Sequence, residues 1–201
     1  MDTFRYILAA LLVISLPPAV AYWFVIHPFA ALWRRVGGGL GIAVGSVVLV
    51  AMMVGLYFVR DALVGSDFGT SFWTLGAGVV FVAVAIVMAV KRRRYLTFKI
   101  LAGVPEVSSA GPGKLLTEGP YSRIRHPRYV EVLVGTLGYA LMANHVGGYV
   151  VTAACIPALY VLVLIEEREL RDRFGQAYAD YCARVPRFIP NRVASNAARP
   201  R

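Results

Sequence analysis

Charged residues are scarce in this chain of 201 residues. Only 16% of them are Asp, Glu, Lys or Arg, whereas soluble domains average about 25%. Hydrophobic residues account for 58% of the sequence, in long runs that extend almost from one end to the other. This composition excludes an ordinary soluble domain and predicts one integral membrane domain.

Acidic residues are fewer than basic ones. The chain has 11 Asp and Glu against 21 Lys and Arg, and its formal net charge is +10. Such an excess is typical of proteins that bind nucleic acid or an anionic membrane surface. Here the basic residues flank apolar runs, as at 33–35 and 91–94, which favours lipid headgroups. We therefore expect membrane lipids as partners and no nucleic acid.

Cysteine and histidine are rare. Cys155 lies in an apolar run and Cys182 near the basic tail, so we expect two free thiols. The three histidines lie on different segments and lack the spacing of metal ligands, so no metal site is expected. The sequence also lacks a Ser-His-Asp signature, a phosphate-binding loop and a convincing dinucleotide fingerprint. The polar residues of the chain therefore match none of these common catalytic or nucleotide-binding patterns.

Long apolar runs predict the membrane helices. A span needs roughly 20 apolar residues to cross about 30 Å of hydrocarbon, and its backbone must be hydrogen-bonded internally. Residues 6–25, 40–59 and 72–90 meet this requirement. The first run is too long for a cleavable signal peptide, so we expect a first membrane helix, kinked or divided at Pro17 and Pro18.

The last third of the chain predicts a helical hairpin. Residues 129–142 are too few for a comfortable crossing, and the turn signal "NHVGG" leads into the apolar run 149–165. The second helix is expected to continue out of the membrane over 166–186, where opposite charges four residues apart stabilise an exposed helix.

The predicted fold is an all-α integral membrane protein with about five transmembrane helices, a C-terminal hairpin among them, and a cytosolic helical extension. We divide the chain into three N-terminal membrane helices, residues 1–94, and a C-terminal region, residues 95–201. Because Lys and Arg gather on the cytosolic side of membranes, residues 91–94, the 114–128 region and the tail are assigned to that side. The loop 60–71 and the hairpin turn then face outward.

Two polar clusters stand beside the apolar runs. One is "EGPYSRIRHPRYVEV" at 118–132, where His126 before Pro127 is either a helix cap or part of a site. The other is the pair Glu166 and Glu167, which either marks the exit of the helix from the membrane or faces a cation or ligand. Adjacent helical residues point about 100° apart, so the two glutamates can face different surroundings. Nearby tyrosines are either interface anchors or stacking surfaces for a planar ligand. They are Tyr121, Tyr129, Tyr178 and Tyr181.

The order of these motifs resembles a known family. The pattern Gly-x-Tyr-x-x-x-Arg-His-Pro-x-Tyr is followed by Glu-Glu, by Phe-Gly-x-x-Tyr-x-x-Tyr and by Val-Pro, all within residues 113–190. It is similar to the membrane methyltransferases of the isoprenylcysteine carboxyl methyltransferase and phospholipid methyltransferase group. The resemblance implies an enzyme with S-adenosylmethionine as cofactor, bound between the last helices on the cytosolic side, and a methyltransferase-like role for the C-terminal region.

The resemblance also implies a set of cofactor-binding residues. They are Lys114, Leu115, Leu116, Tyr121, His126, Pro127, Tyr129 and Glu166. The chemistry agrees, because a carboxylate such as Glu166 suits the ammonium or the ribose hydroxyls of the cofactor. Arg125 or a helix N-terminus suits its carboxylate, and aromatic faces attract its sulfonium.

Two positions depart from the family pattern. Glu131 stands where the family often has Gly, and Leu162 stands where the prenylcysteine enzymes have a substrate-binding Arg. A prenylcysteine carboxylate would miss that Arg, so Leu162 bears on the choice of substrate. If the acceptor is an amine or a thiol that must lose a proton, Glu131 or Glu167 is the candidate catalytic residue.

The expected function is methyl transfer to a lipophilic acceptor, either an isoprenylcysteine carboxylate-like group or a lipid amine. The expected location is a bacterial or archaeal inner membrane, with the active site facing the cytosol. Two alternatives stay open. One is an NADPH-dependent lipid or sterol reductase, and the other is a non-catalytic membrane binding or carrier protein.

Overall fold

The computed structural model describes residues 1–95 and 114–190, so the "SSAGPG" segment at 108–113 and the C-terminal tail lie outside the described residues. Within those residues, eight α-helices and one short 3-10 helix make up the fold. The α-helices are α1 (Asp2–Ile26), α2 (Ala30–Val36), α3 (Gly38–Phe58), α4 (Arg60–Val64), α5 (Phe72–Arg93), α6 (Pro127–Ala143), α7 (Val146–Phe174) and α8 (Gln176–Arg184); the 3-10 helix is Gly119–Ser122.

Four of the helices, α1, α3, α5 and α7, are long and apolar enough to cross a membrane. Helix α6 has 17 residues and is joined to α7 by Asn144 and His145, which forms the predicted hairpin. At 1.5 Å per residue α6 is about 26 Å long, somewhat less than the hydrocarbon core of a bilayer. The prediction of an all-α integral membrane protein is confirmed.

Helix α1 is the centre of the bundle, in contact with α3, α6 and α7. It continues through Pro17 and Pro18 as one helix, so of the two outcomes predicted there, a kink or a division, the division is not found. Pro18 is fully buried, and the neighbouring Leu12 and Leu16 belong to the main hydrophobic core. Packing on several sides holds a membrane helix together where proline removes a backbone hydrogen bond.

Helices α5 and α6 pack most closely where glycines face each other. A Cβ atom added to Gly78 would lie 2.7 Å from the Gly138 carbonyl oxygen, and one added to Gly138 would lie 2.9 Å from the Gly78 carbonyl oxygen. Small residues let membrane helices approach until their backbones are almost in contact. This crossing sets the spacing of α5 and α6, and the pair of Arg92 with Glu131 joins the two helices nearer the polar motif.

One end of the bundle is closed by the loop 60–71 and the hairpin turn. The Phe68 amide donates to the Asn144 carbonyl oxygen at 3.1 Å, and the Val146 amide donates to the Ser66 carbonyl oxygen at 3.0 Å. Arg5 is buried here and donates from Nε to the Ala143 carbonyl oxygen. The two segments that were predicted to face outward therefore lie together.

The opposite end of the bundle carries the polar motif. Arg34 of α2 pairs with Glu169 of α7 at 3.1 Å. The predicted extension of α7 is interrupted at Gly175, whose φ of +54° favours glycine, and α8 begins directly after it. Two of the predicted pairs four residues apart are present, between Arg171 and Glu167 at 3.8 Å and between Arg173 and Glu169 at 3.7 Å.

Candidate active site

The site is built where α6 begins. Pro127 occupies the first turn of the helix, where its missing N–H leaves no hydrogen bond unmade, and His126 is the N-cap. The amide of Arg125 donates to the Pro186 carbonyl oxygen at 2.9 Å, and the amide of His126 donates to the Arg187 carbonyl oxygen at 3.2 Å. These bonds hold the C-terminal segment directly against the polar motif.

Glu167 is the buried centre of an ion cluster. His126 Nε2 lies 3.1 Å from Glu167 Oε1, and both side chains are buried. Arg187 donates to the same carboxylate twice, from Nε at 3.0 Å and from a terminal nitrogen at 2.7 Å, and this hydrogen bonding raises the pKa of the Arg187 guanidinium. A terminal nitrogen of Arg125 is 3.4 Å away. Glu167 therefore anchors the motif, α7 and the C-terminal segment to one another.

Glu166 has different surroundings. Its Oε2 is 3.6 Å from His126 Nδ1, and the Tyr129 hydroxyl hydrogen-bonds to its carboxylate. Within the part of the chain that the structure describes, Oε2 has no hydrogen-bond partner although it is buried. The two adjacent glutamates thus differ as helical geometry predicted: one is fully paired with cations, and the other has an oxygen left over.

Aromatic rings surround His126. Its ring centroid is 5.7 Å from that of Tyr129 and 6.0 Å from that of Phe188. Tyr121 is buried, and its carbonyl oxygen accepts a hydrogen bond of 2.6 Å from the Tyr181 hydroxyl. Burial raises the pKa of both Tyr121 and Tyr181, so both phenols stay neutral. The sequence assigned no role to Phe188, because it lies outside the helices.

The three loop residues before the motif differ in how far they are buried. Leu115 packs against the cluster formed by Tyr178, Tyr181 and Val185 on and after α8. Lys114 is exposed and pairs with Glu118 at 3.0 Å, while Leu116 is half-buried. The structure therefore brings Leu115 to α8 and leaves Lys114 at the surface.

Leu162 lies in the main hydrophobic core, fully buried, one turn before Glu166. It places an apolar side chain at the position that the sequence analysis linked to the choice of substrate.

Glu131 is held in an ion pair between α5 and α6. Arg92 donates to both of its carboxylate oxygens, each at 2.7 Å, and both side chains are largely buried. Burial is the main reason that the pKa of the nearby Tyr121 phenol is raised; Arg92 lowers this pKa and Glu131 raises it to a smaller extent. The sequence indicated Arg92 only as one of four basic residues at the end of a span, since the pairing joins residues 39 positions apart.

Helix α1 contributes two further residues that the sequence did not single out. Trp23 and His27 stack with ring centroids 5.0 Å apart, and the Arg128 guanidinium lies 4.6 Å from the Trp23 ring. Arg128 belongs to the polar motif, so the end of α1 forms part of the wall around it.

Within residues 1–95 and 114–190, no group of three His, Cys, Asp or Glu side chains is placed to bind a metal ion.

Known proteins are similar to this chain over its C-terminal half and, in one case, over most of its length. The family model described as phospholipid methyltransferase matches residues 73–177, just over half of the chain. The nickel-cobalt-cadmium resistance protein NccN of Alcaligenes xylosoxydans xylosoxydans is 29% identical over 177 residues, which cover 88% of this chain and 74% of that protein.

Two further relatives match shorter stretches. Protein-S-isoprenylcysteine O-methyltransferase B of Arabidopsis thaliana is 32% identical over 78 residues, which cover 38% of this chain and 40% of that protein. Delta(14)-sterol reductase TM7SF2 of Mus musculus is 32% identical over 100 residues, which cover 45% of this chain and 22% of that protein. No solved structure matches the chain significantly. The chain thus spans less than half the length of these two relatives.

Proposed function

Because this chain belongs to the phospholipid methyltransferase family, we propose that it transfers a methyl group from S-adenosylmethionine to a lipophilic acceptor in the membrane. The observation that carries the proposal is the buried cluster at His126, where Glu167 is fully paired with cations and Glu166 keeps an open oxygen. Such a cluster is costly to build in an apolar protein unless it binds something polar.

The polar atoms left over in this cluster fit the proposed cofactor. Glu166 Oε2 is a buried acceptor that suits an ammonium group or ribose hydroxyls, and Arg125 Nε is a buried donor that suits a carboxylate. Neither atom has a hydrogen-bond partner among the described residues. Tyr121 and Tyr129 add aromatic faces that attract a sulfonium. These four residues, with His126 and Pro127 holding their positions, are the proposed binding set. Leu115 and Leu116 are proposed to line it from the loop, with Lys114 at its exposed rim.

S-adenosylmethionine supplies a methyl group that is already activated by the positive charge on sulfur. The residues of the chain therefore have two tasks, alignment of the acceptor and exclusion of water. The hydrogen bonds of the Arg125 and His126 amides to the C-terminal segment support both tasks, because they hold that segment over the cluster. Glu131 and Glu167, the candidates from the sequence for proton removal, are each held in an ion pair with an arginine.

The acceptor is proposed to arrive from the lipid. Tyr160 of α7 is 46% exposed and Ile189 is 80% exposed, and Phe188 between them contacts both Tyr160 and His126. An apolar tail lying along this face would bring its polar head to His126. Since Leu162 offers no charge for a carboxylate, a lipid amine suits the site better than a prenylcysteine carboxylate.

The proposed location is a bacterial or archaeal inner membrane, with the site facing the cytosol. Arg34, Arg92 and the motif arginines all lie at the end of the bundle that carries the site. This is the arrangement that the positive-inside bias favours.

The role of Glu166 is tested by calorimetry of S-adenosylmethionine binding in detergent micelles. The variant Glu166→Ala is expected to lose measurable binding, because the buried acceptor of the site is removed. Asp61→Ala is the matched control, since it removes an exposed carboxylate from the opposite end of the bundle. Unchanged affinity in Glu166→Ala would contradict the role given to Glu166.

A reductase is the second candidate, since the chain is similar to part of a sterol reductase. Thermal unfolding with S-adenosylmethionine or NADPH added separates the two functions. Stabilisation by S-adenosylmethionine alone supports methyl transfer, and stabilisation by NADPH alone supports reduction. A non-catalytic protein would respond to neither and would tolerate substitution of His126 and Glu166.

A further inference from the structure

His27 is a buried histidine directly after α1, outside the region that the family model matches. Its side chain is only 4% exposed and stacks on Trp23 with an angle of 24° between the ring planes. Trp23 in turn lies beneath the guanidinium of Arg128, two residues after His126 in the polar motif. This stack brings the His27 imidazole to the edge of the proposed site.

Charged groups on both helices of the hairpin face His27. Glu166 and Arg173 belong to α7, while His126 and Arg128 lie at the start of α6, and all four are within electrostatic reach of the imidazole. Burial is the largest effect and lowers the pKa of His27, so the ring is neutral near pH 7. Its Nδ1 is buried and has no hydrogen-bond partner among the residues that the structure describes.

We propose that His27 is the catalytic residue that takes the proton from a protonated lipid amine before methyl transfer, a role that rests on the proposed function. An amine is mostly protonated in water at neutral pH, and its nitrogen can attack a methyl carbon only after losing that proton. Because burial keeps the His27 ring neutral, Nδ1 has a free lone pair that can accept the proton, and histidine is the most common general base in enzymes. A carboxylate acceptor would need no such residue.

The other titratable groups near the site are engaged elsewhere. Glu131 is bound on both oxygens by Arg92, and Glu167 is bound on both oxygens by Arg187. Both oxygens of each carboxylate are therefore already occupied by a cation. The two ring nitrogens of His126 face Glu166 and Glu167.

In the proposed step, the proton moves from the ammonium nitrogen of the acceptor to Nδ1 of His27. The nitrogen lone pair then forms a bond to the methyl carbon, while the carbon–sulfur bond breaks and its electron pair stays on sulfur. The products are a methylated ammonium and a neutral thioether. The proton on His27 passes to water before the next turnover, so no oxidant or reductant is required.

The activity test compares His27→Gln with the unaltered chain on two probe acceptors, dioleoylphosphatidylethanolamine and N-acetyl-S-farnesylcysteine, with methyl-labelled S-adenosylmethionine. With the amine, His27→Gln is expected to slow labelling by about 10²- to 10⁴-fold, the usual contribution of a general base. The rate of this variant should keep rising with pH, whereas the rate of the unaltered chain levels off above the pKa of His27. Binding of S-adenosylmethionine, measured by calorimetry, should change by less than about threefold.

His145→Gln is the matched control, because His145 is also buried but lies at the opposite end of the bundle. It should label the amine at the rate of the unaltered chain. His27→Phe keeps a ring against Trp23, so it should bind the cofactor and still be slow. A His27→Gln variant with an unchanged amine rate, or one that loses cofactor binding, would overturn the inference.

A second measurement does not depend on turnover. The chain has three histidines, so ¹³C-histidine labelling gives three resolvable imidazole signals, assigned with the His27→Gln and His145→Gln variants. Addition of the phosphatidylethanolamine probe should shift the His27 signal and leave that of His145 in place. If neither acceptor is labelled and the His27 signal stays unmoved, the inference fails while cofactor binding still supports the proposed function. Absence of cofactor binding would instead count against the proposed function itself.

Discussion

At the scale of single residues, the site depends on which partner each carboxylate finds. Glu166 and Glu167 are neighbours in the chain, yet Glu167 accepts hydrogen bonds from Arg187 on both oxygens and Glu166 retains an open one. The sequence allowed different surroundings for the two, because helical neighbours diverge by about 100°, but it placed one of them towards solvent, whereas Glu167 is buried. It did not predict that Arg187, twenty residues later, would be the main partner.

Replacement of Arg187 tests the anchoring role of Glu167. Arg187→Gln should lower the free energy of unfolding by about 1.5–3 kcal/mol, since a charged hydrogen-bond donor to a buried carboxylate is lost. Arg187→Lys should recover only part of this, because an ammonium group cannot make the two parallel bonds of a guanidinium. Thermal unfolding in detergent micelles measures both effects. Equal stability of all three proteins would mean that the pairing contributes nothing.

At the scale of helices, the sequence predicted where the membrane segments lie better than how they meet. The runs 40–59 and 72–90 correspond to α3 and α5 within a few residues, because the length of an apolar run largely determines a span. The contact of Arg92 with Glu131 and the stack of His27 on Trp23 depend on tertiary packing. No periodicity within one helix encodes such contacts.

The crossing of α5 and α6 offers the clearest test of this packing. Gly138→Ala would place a Cβ atom 2.8 Å from Val82 Cγ2 and 2.9 Å from the Gly78 carbonyl oxygen, which forces the helices apart. We expect a loss of about 1–3 kcal/mol in stability, typical of overpacking, and weaker cofactor binding because the motif on α6 shifts. Gly76→Ala is the matched control on α5, since no atom lies within 4 Å of its added Cβ. Because Ala has a higher helix propensity than Gly, Gly76→Ala should not lose stability. Equal destabilisation of both variants would show that the close contact at the crossing is not the cause.

At the scale of the whole molecule, the two ends of the bundle carry different polar clusters. The end with the site leaves buried polar atoms open, at Glu166, Arg125 and His27. At the other end Arg5 donates to Ala143, Asp2 and Thr70 and pairs with Asp67, which ties α1 to the loop 60–71 and the hairpin turn. Arg5 Nη2 also makes no hydrogen bond among the described residues, but it pairs with Asp67. A polar cluster that is paired within the protein stabilises a fold, whereas buried polar atoms without a partner call for one. The family resemblance seen in the sequence is confirmed by the family model, which matches residues 73–177.

This division predicts that Arg5 matters for folding and not for binding. Arg5 is 2% exposed, so Arg5→Gln leaves the Ala143 carbonyl oxygen and Asp67 without their buried partner. We expect a loss of about 1.5–3 kcal/mol in the free energy of unfolding, the usual contribution of charged hydrogen bonds, since Arg5 is buried whereas Asp67 is partly exposed. The fraction that remains folded should bind S-adenosylmethionine with unchanged affinity by calorimetry. Arg60→Gln, at the same end but in an exposed pair with Asp61, should change stability by less than about 0.5 kcal/mol. A stable Arg5→Gln protein with weakened binding would show that the two ends are coupled, and that the outer cluster takes part in the function of the site.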